Sequence, residues 1–134
     1  MTDLELLKKA REYWKTWGGA KGKLWRKRNG GCCCALGALR AAEVGVEPGQ
    51  WLNDEIDEVM GTGDDANKDL YGRYGHIRVP ETLQAVVVEA EPDLARRVGK
   101  FDSRQVVFVF NDSEPAHRVE EIFSAAIEAL EDEG

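Results

Sequence analysis

Three consecutive cysteines, Cys32, Cys33 and Cys34, are the residues of this chain with the clearest capacity for chemistry. The alanine- and leucine-rich segment that follows predicts a helix that begins near Cys33. The dipole and the unpaired N–H groups at a helix N-terminus lower the pKa of a nearby thiol and favour the reactive thiolate. A nucleophilic cysteine is therefore one hypothesis. The favoured interpretation is that Cys34 is a small, buried residue in a tight helix contact.

A nucleophilic cysteine also needs a general base and a group that orients this base. His76 follows Cys34 in the chain, and Asn111 and Asp112 follow later, in the order used by papain-like enzymes. The local sequence signature of those enzymes is absent. A cysteine-dependent hydrolase that uses Cys34, His76 and either Asn111 or Asp112 is thus one alternative function. Asn111 and Asp112 also precede the last predicted helix, which either side chain can cap.

The same residue types do not predict a metal site. A zinc ion takes four protein ligands, or three and a water. Consecutive side chains on a helix point about 100° apart, so the three cysteines cannot all face one ion. Cys33 with His76 and His117 is the remaining combination, and no characteristic spacing supports it. The chain has no Walker motif, dinucleotide fingerprint or zinc-finger spacing, so the sequence predicts neither a metal nor a cofactor.

A basic and aromatic segment forms a second group of candidate residues. Trp25 lies in a glycine-rich stretch rather than on a helix stripe, and Arg26 and Arg28 follow it. An exposed tryptophan beside arginine is typical of interface hot spots. Trp25, Arg26 and Arg28 are therefore predicted to bind an acidic protein surface. Aromatic and basic side chains together also stack on bases and hold phosphates, so a nucleic-acid-associated module is a second alternative. The overall acidity of the chain counts against that alternative.

Charge and composition limit the classes of protein that this chain can represent. Residues 1–31 contain nine Lys and Arg against three acids, a net charge of +6, and residues 32–134 contain nine against 22, a net charge of −13; the two sum to −7. This asymmetry predicts that one part meets an anionic partner. An odd number of adjacent cysteines favours a reducing cytoplasm. No apolar run approaches the roughly 20 residues that span a membrane, and no signal peptide is recognisable.

The elements that position these residues are predicted to be helices. Thr2 and Glu5 have the spacing of a capping box, and Gly18 ends the amphipathic helix that they begin. Further helices are predicted from Cys33 to Glu43, from Pro48, from Pro80, from Pro92 to Val98 and from Ser113 to about Glu131. The run at 105–110 is predicted to be an extended segment, because its residues are β-branched and aromatic. The prediction is a mainly α, single-domain bundle over residues 1–134, with five or six helices around Cys34–Ala42.

Several short motifs together resemble a known family. They are Trp17–Gly18, Gly30–Gly31, Cys34–Leu39, Asn111–Asp112, and the positions Val119, Phe123 and Ala126. The pattern resembles a family of small uncharacterised proteins from actinobacteria and their phages. Cys34 fits the family's cysteine position, whereas Cys32 and Cys33 are additions. The resemblance implies a compact helical domain but no activity. It also implies a phage accessory protein, which we expect to be a non-enzymatic interaction protein that binds a host protein in the host cytoplasm.

Overall fold

The computed structural model describes residues 1–19, 25–26, 32–45, 77–98 and 104–133. Within these ranges the chain forms six helices and one two-stranded ribbon. In chain order the elements are α1 (Asp3–Trp17), β1 (Trp25–Arg26), β2 (Cys32–Cys33), α2 (Ala35–Val44), α3 (Glu81–Ala90), α4 (Pro92–Val98), α5 (Arg104–Ser113) and α6 (Ala116–Glu133). The predicted mainly α fold is confirmed. The helix predicted from Pro48 lies outside the described residues, and the single domain over 1–134 stays a prediction.

Helix α1 begins and ends as its sequence predicts. The Thr2 hydroxyl accepts a hydrogen bond from the Glu5 N–H at 3.1 Å and donates one to the Glu5 carboxylate at 3.1 Å. This arrangement satisfies an N–H group that the helix itself leaves unpaired. At the other end, the Gly18 N–H donates to the Trp14 carbonyl at 2.7 Å. Both ends of α1 are therefore fixed by local sequence.

Helix α2 is largely buried in the described core. It packs against α1 and α5, and α1 packs in turn against α6. Its buried positions are small or aliphatic: Ala35, Leu36, Gly37, Ala38, Leu39, Ala41 and Ala42. Small side chains allow neighbouring helices to approach closely. Gly45 ends the helix in the left-handed conformation, with φ +76°, which glycine adopts without steric cost.

The segment at 105–110 is helical, so the predicted extended segment is wrong. These residues lie within α5, which packs against α2, α3 and α4. Most of this helix is buried, including Val106, Val107, Phe108 and Phe110. A short, continuous apolar run does not distinguish a buried strand from a buried helix. The helix pairs its own backbone groups inside the core, and this packing overrides the local preference for strand.

Two helix boundaries also differ from the sequence prediction. Helix α2 begins at Ala35 rather than Cys33, because Cys32 and Cys33 form a strand. Helix α6 begins at Ala116, and Ser113 instead ends α5. Pro115 separates the two helices, since proline has no N–H group to continue a helix. Ser113 and the residues before it therefore do not cap α6. Across the described ranges, each helix is too short or too polar to cross a membrane.

Arg118 connects the first turn of α6 to two other helices. Its guanidinium lies 3.2 Å from the carboxylate of Glu91, which follows α3, and 3.5 Å from that of Glu114. The same guanidinium lies 5.5 Å from the centre of the Phe110 ring in α5, a cation–π distance. The beginning of α6 is therefore held against α3 and α5.

Candidate functional site

The basic candidate residues lie on a ribbon that is attached to the core. Strand β1 pairs with β2 in antiparallel register, so that Trp25 lies opposite Cys33 and Arg26 lies opposite Cys32. Cys33 also forms an isolated parallel bridge with Gly18, at the end of α1. Cys33 itself is fully buried. The ribbon thus places the backbone of Trp25 and Arg26 one strand away from the C-terminal end of α1, while Arg28 lies outside the described residues.

Gly18 is the point at which the ribbon meets α1. A Cβ atom at this position would lie 2.4 Å from the Trp14 carbonyl oxygen and 2.5 Å from the Trp14 ring. Its φ of −69° is open to any residue, so the need for glycine comes from space rather than from backbone conformation. Trp14 is buried, which leaves its ring little freedom to move aside. The ribbon therefore depends on a residue without a side chain at Gly18.

Cys34 joins the ribbon to α2 and caps that helix. Its backbone is extended, with φ −88° and ψ 180°, and its Sγ accepts a hydrogen bond from the Gly37 N–H at 3.4 Å. The residue is fully buried. The pKa of the Cys34 thiol is raised from its ordinary 9.0 to about 12, mainly by burial, and the negative charge of Asp112 acts in the same direction. Hydrogen bonds from backbone N–H groups at the start of α2 act in the opposite direction. The lowering of the pKa expected at a helix N-terminus is therefore present but outweighed by desolvation.

Asn111, which lies in α5, also caps α2 through its side chain. Its Oδ1 accepts a hydrogen bond from the Ala35 N–H at 3.0 Å, and its Nδ2 donates to Asp112 Oδ1 at 3.1 Å. Asn111 is fully buried and is the one buried polar residue in the described core. The sequence predicts a capping role for Asn111 or Asp112, but on the helix that follows them. The structure instead shows that Asn111, a residue of α5, caps α2, whose first residue lies 76 positions earlier in the chain.

Three of the four residues of the hydrolase hypothesis thus lie close together. Asn111 binds the residue after Cys34, and the Asp112 carboxylate lies near enough to the thiol to raise its pKa. His76, the proposed base, lies outside the described residues. A protonated thiol without solvent access is the opposite of what nucleophilic catalysis requires. Within the described ranges, no group of three or more His, Cys, Asp or Glu side chains is arranged to hold a metal ion.

Sequence reasoning did not identify the groove along α6. One cavity of about 410 Å³ is lined by His117, Glu120, Glu121, Ser124, Ala125 and Glu128. A second, of about 250 Å³, is lined by Trp14, Lys15, Gly18, Ala116, His117 and Glu120. The two cavities share His117 and Glu120, so they adjoin. Because Gly18 also bridges to Cys33, the smaller cavity lies beside the ribbon. The packing of α1 against α6 forms the smaller cavity, whereas the described residues that line the larger one all belong to α6. No motif in either helix indicates this groove.

Ion pairs cross the seam between α1 and α6. Lys8 lies 3.0 Å from Glu131, and Lys15 lies 3.6 Å from Glu120. All four side chains are about half exposed, between 43% and 50%. Both pairs join a basic side chain of α1 to an acidic side chain of α6. These charges are accessible to solvent and contribute little to folding.

Comparisons with known proteins identify a family but no activity. The sequence matches, over residues 1–132, a family described as a family of unknown function (DUF6197). No curated protein and no solved structure matches the chain. The match agrees with the expected resemblance to uncharacterised proteins. The actinobacterial and phage origin stays a prediction.

Proposed function

The chain belongs to the family of unknown function DUF6197, and we propose that it is a binding protein that presents a basic ribbon to an acidic partner protein. The observation that carries this proposal is the pairing of Trp25–Arg26 with Cys32–Cys33. Through this pairing, the segment with the composition of an interface hot spot is attached to the buried core. If the chain is of phage origin, the partner is a protein of the host.

The charge of the ribbon region supports an acidic partner. The first 31 residues have a net charge of +6, although the whole chain has a net charge of −7. A basic region on an acidic protein steers acidic partners to one side of the molecule and makes association sensitive to salt. The proposed contact residues are Trp25, Arg26 and Arg28.

The attachment of the ribbon also supports binding. A surface that is ordered before binding loses less conformational freedom in the complex than a free loop does. Strand β2 has the buried Cys33, which is followed directly by the capping residue Cys34 and by α2. The paired strand therefore has a fixed position relative to the core. Burial and protonation of Cys34 give the hydrolase alternative no comparable support.

Fluorescence anisotropy with three labelled probes tests this proposal: an oligoglutamate peptide, an oligolysine peptide and a short DNA duplex. The test variant is Arg26→Glu/Arg28→Glu. The matched control is Arg96→Glu/Arg97→Glu, which makes the same change in charge at two exposed positions of α4. We expect the wild type to bind oligoglutamate at low salt, and the test variant to bind it at least ~10-fold more weakly, a loss of about 1.4 kcal/mol. The control variant should bind like the wild type.

Each other outcome contradicts the proposal. If oligoglutamate does not bind, or if the two variants lose the same affinity, the ribbon is not an acidic-protein site. If the DNA duplex binds through the ribbon and oligoglutamate does not, the nucleic-acid alternative replaces the proposal. Trp25→Ala adds a check on the tryptophan, because an interface residue reduces binding without lowering Tm, whereas a core residue lowers Tm.

A further inference from the structure

We infer that Asn111 is a positioning residue, whose side chain in α5 fixes the place of the ribbon by holding the start of α2. The consequence for binding rests on the proposed function above. The positioning role of Asn111 does not depend on the proposed function, because it concerns where β2 lies in the free protein. The inference extends the role of Asn111 from a helix cap to a contact that controls the proposed binding strand.

The covalent path from Asn111 to the ribbon is short. Cys33 ends β2, Cys34 is the single connecting residue, and Ala35 is the first residue of α2. Asn111 Oδ1 accepts the hydrogen bond of the Ala35 N–H at 3.0 Å. The anchored amide is thus two residues from the strand that pairs with Trp25. A displacement of Ala35 moves β2 with it, and β1 follows through the ladder.

Asn111 provides a hydrogen-bond acceptor for the Ala35 N–H, which the cap made by Cys34 does not provide. The cap made by Cys34 is a sulfur acceptor on the Gly37 N–H at 3.4 Å, and sulfur is a weak acceptor. The Ala35 N–H has no partner within its own helix, because the first N–H groups of a helix have none. A buried N–H without a partner is costly, so the junction is stable only while another element provides an oxygen. Helix α5 provides this oxygen through Asn111.

Asp112 fixes the orientation of the Asn111 amide. The Asn111 Nδ2 donates to Asp112 Oδ1 at 3.1 Å, so the other end of the amide, Oδ1, faces Ala35. Reversal of the amide would place two donors against each other at Ala35. The Asn–Asp pair therefore has one orientation in which both hydrogen bonds form. This dependence predicts that exchanging the two residue types preserves the contact. The carboxylate introduced at position 111 would accept from the Ala35 N–H, and the amide introduced at position 112 would donate to that carboxylate.

Hydrogen–deuterium exchange at the amides of 25–26 and 32–35 tests the inference on the full chain. The variants are Asn111→Ala, the exchanged pair Asn111→Asp/Asp112→Asn, and Val107→Ala as a control. Val107 is a fully buried residue of the same helix, with a fully apolar side chain. Each variant is compared after correction for its measured free energy of unfolding, since global opening raises exchange everywhere. If Asn111→Ala does not fold, Asn111→Ser is used, because its shorter side chain places no acceptor at the same distance.

We expect Asn111→Ala to raise ribbon exchange at least ~10-fold beyond its effect on the core helices. The exchanged pair should protect the ribbon as the wild type does, and Val107→Ala should show no excess exchange at the ribbon after correction for the free energy of unfolding. The inference is overturned if Asn111→Ala and Val107→Ala have the same pattern, or if the exchanged pair loses ribbon protection as Asn111→Ala does.

Oligoglutamate binding by the same variants separates this inference from the proposed function. If ribbon exchange rises in Asn111→Ala and oligoglutamate does not bind even to the wild type, the positioning role stands and the proposed function fails. If Arg26→Glu/Arg28→Glu abolishes binding while Asn111→Ala exchanges like the control, the proposed function stands and the positioning role fails.

Discussion

The junction at the start of α2 and the seam between α1 and α6 connect distant parts of the chain by opposite means. The junction, formed by Cys34, Ala35 and Asn111, is fully buried and uses hydrogen bonds to backbone groups. The seam uses the ion pairs Lys8–Glu131 and Lys15–Glu120, whose side chains are about half exposed. Breaking a buried hydrogen bond leaves a donor without a partner and costs about 1–3 kcal/mol, whereas exposed ion pairs contribute about 0–1 kcal/mol.

This difference shows that the chemical type of a residue does not by itself determine its role in this protein. The residues whose chemistry could support catalysis, a thiol, an amide and a carboxylate, are used to build the junction. Charged residues outside the hydrolase hypothesis, such as Lys15 and Glu120, instead line the groove. Burial decides between the two roles, because a buried thiol is protonated and closed to solvent.

The largest effect is expected for Asn111→Ala at the junction. The substitution leaves the Ala35 N–H without its acceptor and removes buried side-chain volume, so the free energy of unfolding should fall by about 3 kcal/mol. Urea denaturation measures this loss. A loss below about 0.5 kcal/mol is typical of a surface residue. It would contradict the larger contribution to stability expected for the buried junction.

Gly18→Ala should cost about 2 kcal/mol, within the range for overpacked sites. The added Cβ would lie 2.4 Å from the Trp14 carbonyl oxygen, so α1 or the ribbon must shift. Thermal unfolding should show a lower Tm, and the ribbon amides should exchange faster. An unchanged Tm would mean that the end of α1 adjusts freely and that the ribbon is not seated on it.

The pH dependence of Cys34 should appear only in alkaline solution. The folded thiol has a pKa of about 12 against an ordinary 9.0, so both states are protonated below pH 9.0 and stability there is unaffected. As pH rises from 9.0 towards 12, only the unfolded thiol loses its proton, and stability should fall by about 1.4 kcal/mol per pH unit. Because lysines and tyrosines also titrate in this range, the measurement is the difference between wild type and Cys34→Ala in urea denaturation. An equal slope in both proteins would contradict the burial of the thiol.

The smallest effect is expected for Lys15→Ala at the seam. Its ion pair with Glu120 is 3.6 Å long and half exposed, so the loss should be at most about 0.5 kcal/mol. The difference from wild type should disappear at high salt, which screens exposed charges. A loss as large as that of Asn111→Ala would remove the distinction between seam and junction.

Local sequence predicts the elements whose ends are fixed by neighbouring residues. The capping pair Thr2 and Glu5 identifies the start of α1, and Pro92 identifies the start of α4, which ends at Val98 as predicted. The apolar stripe from Val119 to Leu130 likewise identifies α6 and the face that it buries. The capping pair and the proline act within about one helical turn, and the stripe repeats with the period of a helix.

The features that local sequence does not predict depend on contacts between residues that are distant in the chain. The run at 105–110 is a helix because α2, α3 and α4 surround it, and none of these neighbours is visible in the run itself. Asn111 caps a helix 76 residues away, so its residue type predicts capping but not the partner. The pKa of Cys34 depends on desolvation, whereas the sequence shows only the helix N-terminus. The pairing of Trp25 with Cys33 has no sequence signal of its own.

Cys34 is a structural residue of the junction, and native-state thiol labelling can show whether its thiol is closed to solvent. In the variant Cys32→Ser/Cys33→Ala, Cys34 is the single remaining thiol. Its labelling at neutral pH is compared between the native protein and the same protein unfolded in urea. If the Cys34 thiol is buried, native labelling is slower by at least ~10³-fold, because the thiol reacts only when the core opens. Native labelling within about tenfold of the unfolded rate would show that the thiol is exposed and would support the hydrolase hypothesis instead.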